Sequence, residues 1–566
     1  MAIPTPLSRS SSGRRALRAR WIRRVGYSLA GLAGLFLASI LGATVHRWAT
    51  TPWEVPRQEA QQLPPWRPGL SLRQSFDSLP TPPVARKGVA APRPGLRLLT
   101  DNNEAWVERW RVLSEARGSI DVASFIVRDC VYGRAFIGML LARREQGLKV
   151  RLLVDGYGAD MDRQLLEEDF LDELVGAGIE VQVYRPLAMR LTQAVANLDP
   201  LAWIASEHDK LILVDEKVAI VGGRNIGREY FSAEADAPDA YHDVDVAIED
   251  AAVTRALVKA FNGEWDSQAS DPIPGEVLNL SSSREGLLGS YRAMDAFLRA
   301  REGRLAEDDE AALTELELLR KEQGPLRGRL SDERADAERT IALRGEVRLL
   351  DSGPRRADDV DPITEGLGRL LESARQTVVI ETPYLVVDDT VVAAFTRAAQ
   401  RGVRIIIVTN SPSSSDNAMS QAFFLEQWPE ILARVPTLRL FVRGDGHNLH
   451  AKTATFDDCV GVVSTYNMDP LSMRIQGEVA VVVWSAPFAA LVARPSLRMI
   501  DQGPPITYEY RIRRDAQGEP LRDPEGHPIV AFGPRDHVED LDRLLGFWGK
   551  VKELREAAGA RPLEKP

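Results

Sequence analysis

Two stretches of this chain carry the same reactive side chains at the same spacing. His208-Asp-Lys210-Leu-Ile-Leu-Val-Asp215 recurs in its key letters as His450-Ala-Lys452-Thr-Ala-Thr-Phe-Asp457, and each histidine is followed seventeen residues later by an asparagine, Asn225 or Asn467. Side chains at i and i+2 of a strand share a face, so His208 sits beside Lys210 and His450 beside Lys452. Asp215 and Asp457 complete the catalytic motif. Their odd separation from the histidines turns them away, which suits structural partners better than bases. Two imidazoles and two ammonium groups drawn into one site suit attack on a phosphodiester, which needs a nucleophile, a proton donor and charge neutralisation. Asn225 and Asn467, each after a further strand, would return a neutral donor to the phosphate. No His/Cys cluster offers a metal site, and no cofactor is implied.

The elements that must position these groups also repeat. Ser119–Val127 reads as a buried strand, about 133–146 as a helix, and Gly147–Asp155 as a helix stop and second strand. Thr377–Leu385, Val391–Gln400 and Gly402–Asn410 repeat that order ahead of the second motif. Strand, helix, strand with nearly continuous apolar strands indicates an α/β sheet covered by helices on both faces.

The net charge of −10, with 44% hydrophobic and 27% charged residues, describes a globular protein and argues against a general nucleic-acid binder. Basic charge is local: seven arginines and no acid precede residue 25. They abut the uncharged run Val25–Val45, which at the helical rise reaches about 30 Å, the thickness of a bilayer core. Arginines in front place the N-terminus in the cytoplasm and send the rest of the chain across the membrane, with a cleaved signal peptide as the alternative to an uncleaved anchor. Ten prolines between 51 and 95 suggest an extended tether. The charged stretch from 300 to 345 reads as exposed helix, broken near Gly324-Pro325. Ile506–Ile512 and Pro528–Phe532 suggest a hairpin, and the Leu541, Leu544, Leu545, Trp548 stripe a helix docked on its own domain. Cys130 and Cys459 form no disulfide framework.

The paired HxKxxxxD motif resembles that of the phospholipase D superfamily, and within it the chain is most similar to bacterial cardiolipin synthases. The likeness covers residues 95 to 490. It rests also on Val221–Tyr230, Phe261–Trp265, Glu381–Tyr384, Thr409–Asp416 and Asn467–Pro470. It implies two pseudo-symmetric halves, each a mostly parallel sheet flanked by helices, and the uncharged run Val25–Val45 adds an expected N-terminal transmembrane helix ahead of them. The implied order is a basic segment (1–24), the transmembrane helix (25–45), a Pro-rich linker (46–95) and the first half (96–299). A charged helical connector (300–345), the second half (346–490) and a C-terminal hairpin with amphipathic helix (491–566) complete it.

The resemblance also implies transfer through a phosphohistidine, with His208 as nucleophile and His450 as general acid. Lys210, Lys452, Asn225 and Asn467 would hold the non-bridging oxygens, with the Thr465 hydroxyl nearby, and Asp243 and Glu478 would orient the imidazoles. The implied substrate is a phospholipid, phosphatidylglycerol with phosphatidylethanolamine as a second candidate, at a bacterial inner membrane, with the catalytic domain extracytoplasmic. Water as acceptor would make the enzyme a phospholipase D instead. A nuclease would want stacking aromatics in a basic groove, and a silent scaffold would not keep both motifs intact.

Overall fold

A computed structural model describes residues 61–82, 94–156, 158, 170–186, 190, 206–267, 270–272, 284–331, 343–353 and 361–546. All of these but Arg190 fall in one compact unit, Pro56–Pro186 with Ile204–Pro566. The basic segment and the 25–45 span lie outside the described residues. Among those described, no helix is long and apolar enough to cross a membrane.

The first half builds strands β1 (Gly95–Leu99), β2 (Ser119–Ser124), β3 (Lys149–Asp155), β4 (Glu180–Tyr184), β5 (Leu211–Val214), β6 (Val218–Gly222), β7 (Asp245–Glu249), β8 (Ser270–Pro272) and β9 (Leu343–Arg344). The second builds β10 (Glu346–Asp351), β11 (Thr377–Glu381), β12 (Arg404–Asn410), β13 (Leu438–Arg443), β14 (Thr453–Phe456), β15 (Val460–Ser464), β16 (Val479–Trp484), β17 (Thr507–Ile512) and β18 (Val530–Phe532). Each half is a nine-stranded sheet, ordered β8-β4-β3-β2-β5-β6-β7-β1-β9 and β10-β16-β15-β14-β11-β12-β13-β17-β18. Read from opposite ends, eight strands correspond one to one.

The sheets are mixed, not mostly parallel as expected. Parallel pairing is confined to β2-β3-β4 and β11-β12-β13, whose crossovers contain helices. The motif strands β5 and β14 instead pair antiparallel with both neighbours. The cause is local. After each motif strand the chain reverses through two consecutive left-handed residues, Asp215-Glu216 and Asp457-Asp458, a tight hairpin that only antiparallel strands allow.

Three cores follow. One packs helices against the outer face of the first sheet, through Trp106, Phe136, Leu152 and Ile212. Another does the same for the second sheet, through Leu370, Ile405 and Phe456. The third lies between the sheets, where Phe261, on helix Ala251–Trp265, and Phe488, on helix Ala486–Gln502, join Leu213, Val221, Val463 and Val481. It fixes the two sheets to each other.

Residues 61–82, read from sequence as part of the tether, are instead docked on the second half. Helix Leu72–Asp77 closes with a Ser71–Gln74 capping box, buries Leu72 and Phe76 in the second core, and places Arg73 bidentate on Glu346 at 2.9 and 2.7 Å. The charged connector is likewise not merely solvated: helix Glu310–Glu322 buries Ala312, Leu316 and Leu319 in the first core. β17 and β18 form the C-terminal hairpin and extend the second sheet beyond β13. Leu541 and Leu545 of the tail stripe pack on the second core, while Trp548 lies outside the described residues.

Candidate active site

The residues just before β5 and β14 do not belong to their own sheets alone. The His208 amide donates to the Gly477 carbonyl (3.0 Å) and the Gly477 amide to Ser206 (3.1 Å). In the mirror arrangement His242 donates to Asn448 and His450 to His242, both at 2.7 Å. Each motif histidine is therefore stitched to the segment leading into β7 or β16 of the opposite half, and these segments carry the two carboxylates. His208 Nδ1 lies 3.0 Å from Glu478 Oε1, and His450 Nδ1 lies 2.7 Å from Asp243 Oδ2. Each of these carboxylates therefore lies against the motif histidine of the other half. Neither half alone supplies both a motif histidine and the carboxylate bonded to it.

These four groups are buried, and so are Lys210 and Lys452. Gly223 permits the close approach of Asp243, because a Cβ there would fall 2.1 Å from its Oδ1. Ser472 Oγ donates to Glu478 Oε1 at 2.7 Å. Phe125 meets the His208 ring edge-on at 5.2 Å, and Tyr230 meets His450 at 5.4 Å with Tyr241 at 5.7 Å. The sequence reading singled out none of these aromatic neighbours or Ser472 for the site, although Tyr230 ends one of the quoted stretches.

The two imidazoles differ in kind. Burial pushes His208 well below its usual range, and the charges of Lys210, Lys452 and His450 push the same way. Its Nδ1 also lies 3.2 Å from the Thr465 carbonyl, which can only accept, so Nδ1 carries the hydrogen and Nε2 keeps a lone pair. Burial raises Glu478 to about 8, against the pull of Lys210, so this pair is favoured without net charge at neutral pH. At the other imidazole, burial would raise Asp243, yet His450, bonded to it, holds it well below the carboxylate range. Burial and Lys452 lower His450, while Asp243 opposes them. The arrangement thus presents a neutral imidazole on one side and one backed by a full negative charge on the other.

Burial lowers Lys210 to about 8. Each lysine donates to the carbonyl of its own motif histidine, Lys210 to His208 at 2.6 Å and Lys452 to His450, and Lys452 Nζ also lies 3.1 Å from His450 Nδ1. The asparagines are not equivalent. Asn225 Nδ2 donates to the Tyr230 hydroxyl (2.9 Å) and its Oδ1 accepts from the Ile126 amide (3.2 Å), leaving one N–H. Asn467 Oδ1 is buried without a partner. The Thr465 hydroxyl, just after β15, accepts from the Val479 amide at 3.0 Å.

Asp215 and Asp457, counted with the catalytic motif, stand at the far ends of their strands. Asp215 accepts from the amides of Arg117, Gly118 and Ser119 at 2.9, 2.6 and 2.9 Å, and Asp457 from those of Arg375, Gln376 and Thr377 at 2.8, 2.7 and 3.0 Å. They anchor the entries to β2 and β11 and touch no reacting group. His447 lies in a loop, between Asp445 and the Glu234 carbonyl. Among the described residues, two acidic groups lie close enough to share an ion, Glu234–Asp445–His447 and the buried Glu207–Asp209–Glu264. In the first, Arg443 neutralises both acids.

Against known proteins, residues 110–265 and 367–499 match the family described as "Cardiolipin synthase, PLD-like domain". The chain belongs to that family. It is an enzyme of the phospholipase D superfamily. A Helicobacter pylori protein of undescribed activity is 25% identical over 488 residues, 81% of this chain and 88% of its own. Cardiolipin synthase C of Escherichia coli is 27% identical over 424 residues, 70% of this chain and 83% of its own. The crystal structure of phosphatidylserine synthase from Haemophilus influenzae superposes with a TM-score of 0.54 at 16% identity, covering 86% of this chain and 98% of that one. That likeness is one of fold.

Proposed function

We propose that the protein is a phosphatidyltransferase of the cardiolipin synthase type, working through a phosphohistidine. The observation that carries the reading is the unequal pair of imidazoles, each backed by a carboxylate from the other half. Neutral His208 attacks phosphorus through Nε2, forming the N–P bond as the P–O bond to the departing alcohol breaks. His450 gives that alcohol its proton. The incoming hydroxyl then loses its proton to His450 as its oxygen displaces His208 from phosphorus, which restores both imidazoles. Lys210 and Lys452, with Asn225 and Asn467, hold the non-bridging oxygens where charge accumulates.

The lipid substrate is supported by the names of the relatives, with phosphatidylglycerol as donor and acceptor and phosphatidylethanolamine as a second donor. The apolar run 25–45 would hold the enzyme at a bacterial inner membrane, and the arginines before it would place the catalytic halves outside the cytoplasm. The test is incubation of purified protein with phosphatidylglycerol, with and without phosphatidylethanolamine, beside a His208→Ala control. Cardiolipin that vanishes in the control supports transfer. Phosphatidic acid in its place makes water the acceptor. No lipid turnover overturns the reading.

A further inference from the structure

The pseudo-symmetry of the two halves also fails in the cores on their outer faces. In the first half, Trp106, Trp110, Tyr132 and Phe231 form a packed cluster, with ring centroids 4.9 to 5.7 Å apart where they touch and every ring at most 1% exposed. Phe136 is buried with them in the same core. The counterparts can be named because helix ends and motif asparagines fix the register. C-caps Ala116 and Ala374 correspond, each followed by the backbone that the turn aspartate anchors. Trp106 and Trp110 then answer to Thr364 and Gly368. N-caps Cys130 and Asp388 correspond, so Tyr132 and Phe136 answer to Thr390 and Ala394. Counted from Asn225 and Asn467, Phe231 answers to Met473.

Large rings have become small or unbranched side chains at every one of these positions, and the second half has a cavity of about 670 Å³ lined by all five counterparts. The cavity opens to the surface, where Thr390 is exposed, and its size lies within the range of about 300–1,000 Å³ usual for ligand sites. The wall is chiefly apolar, with Ile380, Phe395 and Ala454 among its side chains, and Lys452 stands in it. Hydrocarbon is the filling such a wall selects. Lys452, whose ammonium lies against His450, ties the wall to the group that would hold the phosphate.

We infer that this cavity between helices Pro362–Ser373 and Asp389–Gln400 receives one hydrocarbon chain of the lipid whose phosphate lies at Lys452, so that the second half reads chain length while the first is plugged by its own aromatics. The inference rests on the lipid reading of the site. No bond changes in it; the step is burial of apolar surface.

Gly368→Trp tests it by restoring the first half's plug. A Cβ at Gly368 meets nothing within 4 Å, so the position admits a side chain, and a melting curve no lower than wild type shows that the variant folds. Two readouts are taken beside Gly368→Ala: the ratio of kcat/KM for a long-chain to a dihexanoyl phospholipid, and binding of monomeric dodecylphosphocholine, followed by tryptophan fluorescence and calorimetry. The expected result is at least a tenfold fall in the ratio with Gly368→Trp and loss of dodecylphosphocholine binding, with Gly368→Ala close to wild type. An unchanged ratio, or equal loss on both substrates, overturns the inference. If the wild type turns over no phospholipid, the functional reading falls, and dodecylphosphocholine binding decides the cavity by itself: binding that Gly368→Trp removes sustains it, and no binding ends it.

Discussion

Replacing Asp243 by Asn removes one charge from a buried site while keeping its volume, and the consequence can be worked from the geometry. Asp243 Oδ2 is 2.7 Å from His450 Nδ1, which puts the two charge centres at about 4 Å. At an effective dielectric near 20, the lost attraction is about 4 kcal/mol. That is about a thousandfold in the proton affinity of His450. Burial and Lys452 already lower this group, so nothing remains to hold the proton for the leaving alcohol. The expected outcome is a fall in kcat of about 10³ at pH 7, in line with the large losses seen when the carboxylate behind a catalytic imidazole is neutralised. The limb of the pH–rate profile that needs protonated His450 should also move to lower pH. The assay is lipid turnover from pH 5 to 9, with circular dichroism to confirm the fold. The mirror variant, Glu478→Gln, should leave that limb in place because its partner His208 works neutral. A kcat within tenfold of wild type for Asp243→Asn, or a limb that moves only with Glu478→Gln, refutes the assignment of acid and nucleophile.

Other outcomes follow from the same geometry. Asp457→Ala frees three backbone amides from their acceptor and should destabilise the protein by about 2–4 kcal/mol, measured by urea unfolding, while kcat of the folded fraction stays near wild type; a selective loss of kcat would make Asp457 part of the chemistry. Burial, joined by the neighbouring acids, raises Glu207, Asp209 and Glu264 well above the carboxylate range. Acids with a raised folded pKa bind protons more tightly when folded, so their contribution is present at low pH and fades as pH rises through the folded values. Glu264→Gln should therefore stabilise by about 1–3 kcal/mol at pH 8 and less at pH 5, read by thermal melts. Equal effects at both pH values would contradict this. Lys452→Met should lower kcat by at least about a hundredfold, the cost of removing one donor to a developing charge, with little change in melting temperature; near wild-type turnover would take Lys452 out of the site.

Much of the site was legible because a duplicated motif fixes both register and facing. The i, i+2 spacing of His208 and Lys210 and the odd offset of Asp215 were read as properties of a strand, whereas both His208 and Lys210 precede β5 and Asp215 follows it, bonded at the entry to β2. The exchange of carboxylates was not legible. Asp243 and Glu478 each follow the motif of their own half in sequence, and only the backbone pairing of His208 with Gly477 and of His450 with His242 sends each to the other imidazole. The mixed sheets were missed for a similar reason. Strand–helix–strand order describes β2-β3-β4 correctly, but Asp215-Glu216 and Asp457-Asp458 lack the Asn-Gly signature of a tight hairpin and still adopt left-handed backbone. The docked segment around Leu72 and Phe76 was hidden by the prolines on either side of it, which drew the eye to composition and away from a six-residue helix with its own cap.

The central claim is that phosphorus passes through a covalent bond to His208. The most direct measurement is to mix enzyme with phospholipid labelled at the phosphate, quench in alkali, where phosphohistidine survives, and locate the label by peptide mapping. Label on the peptide containing His208, absent from His208→Ala, is the predicted result. Label on the His450 peptide, or product formation with no protein-bound phosphate at any quench time, would contradict it.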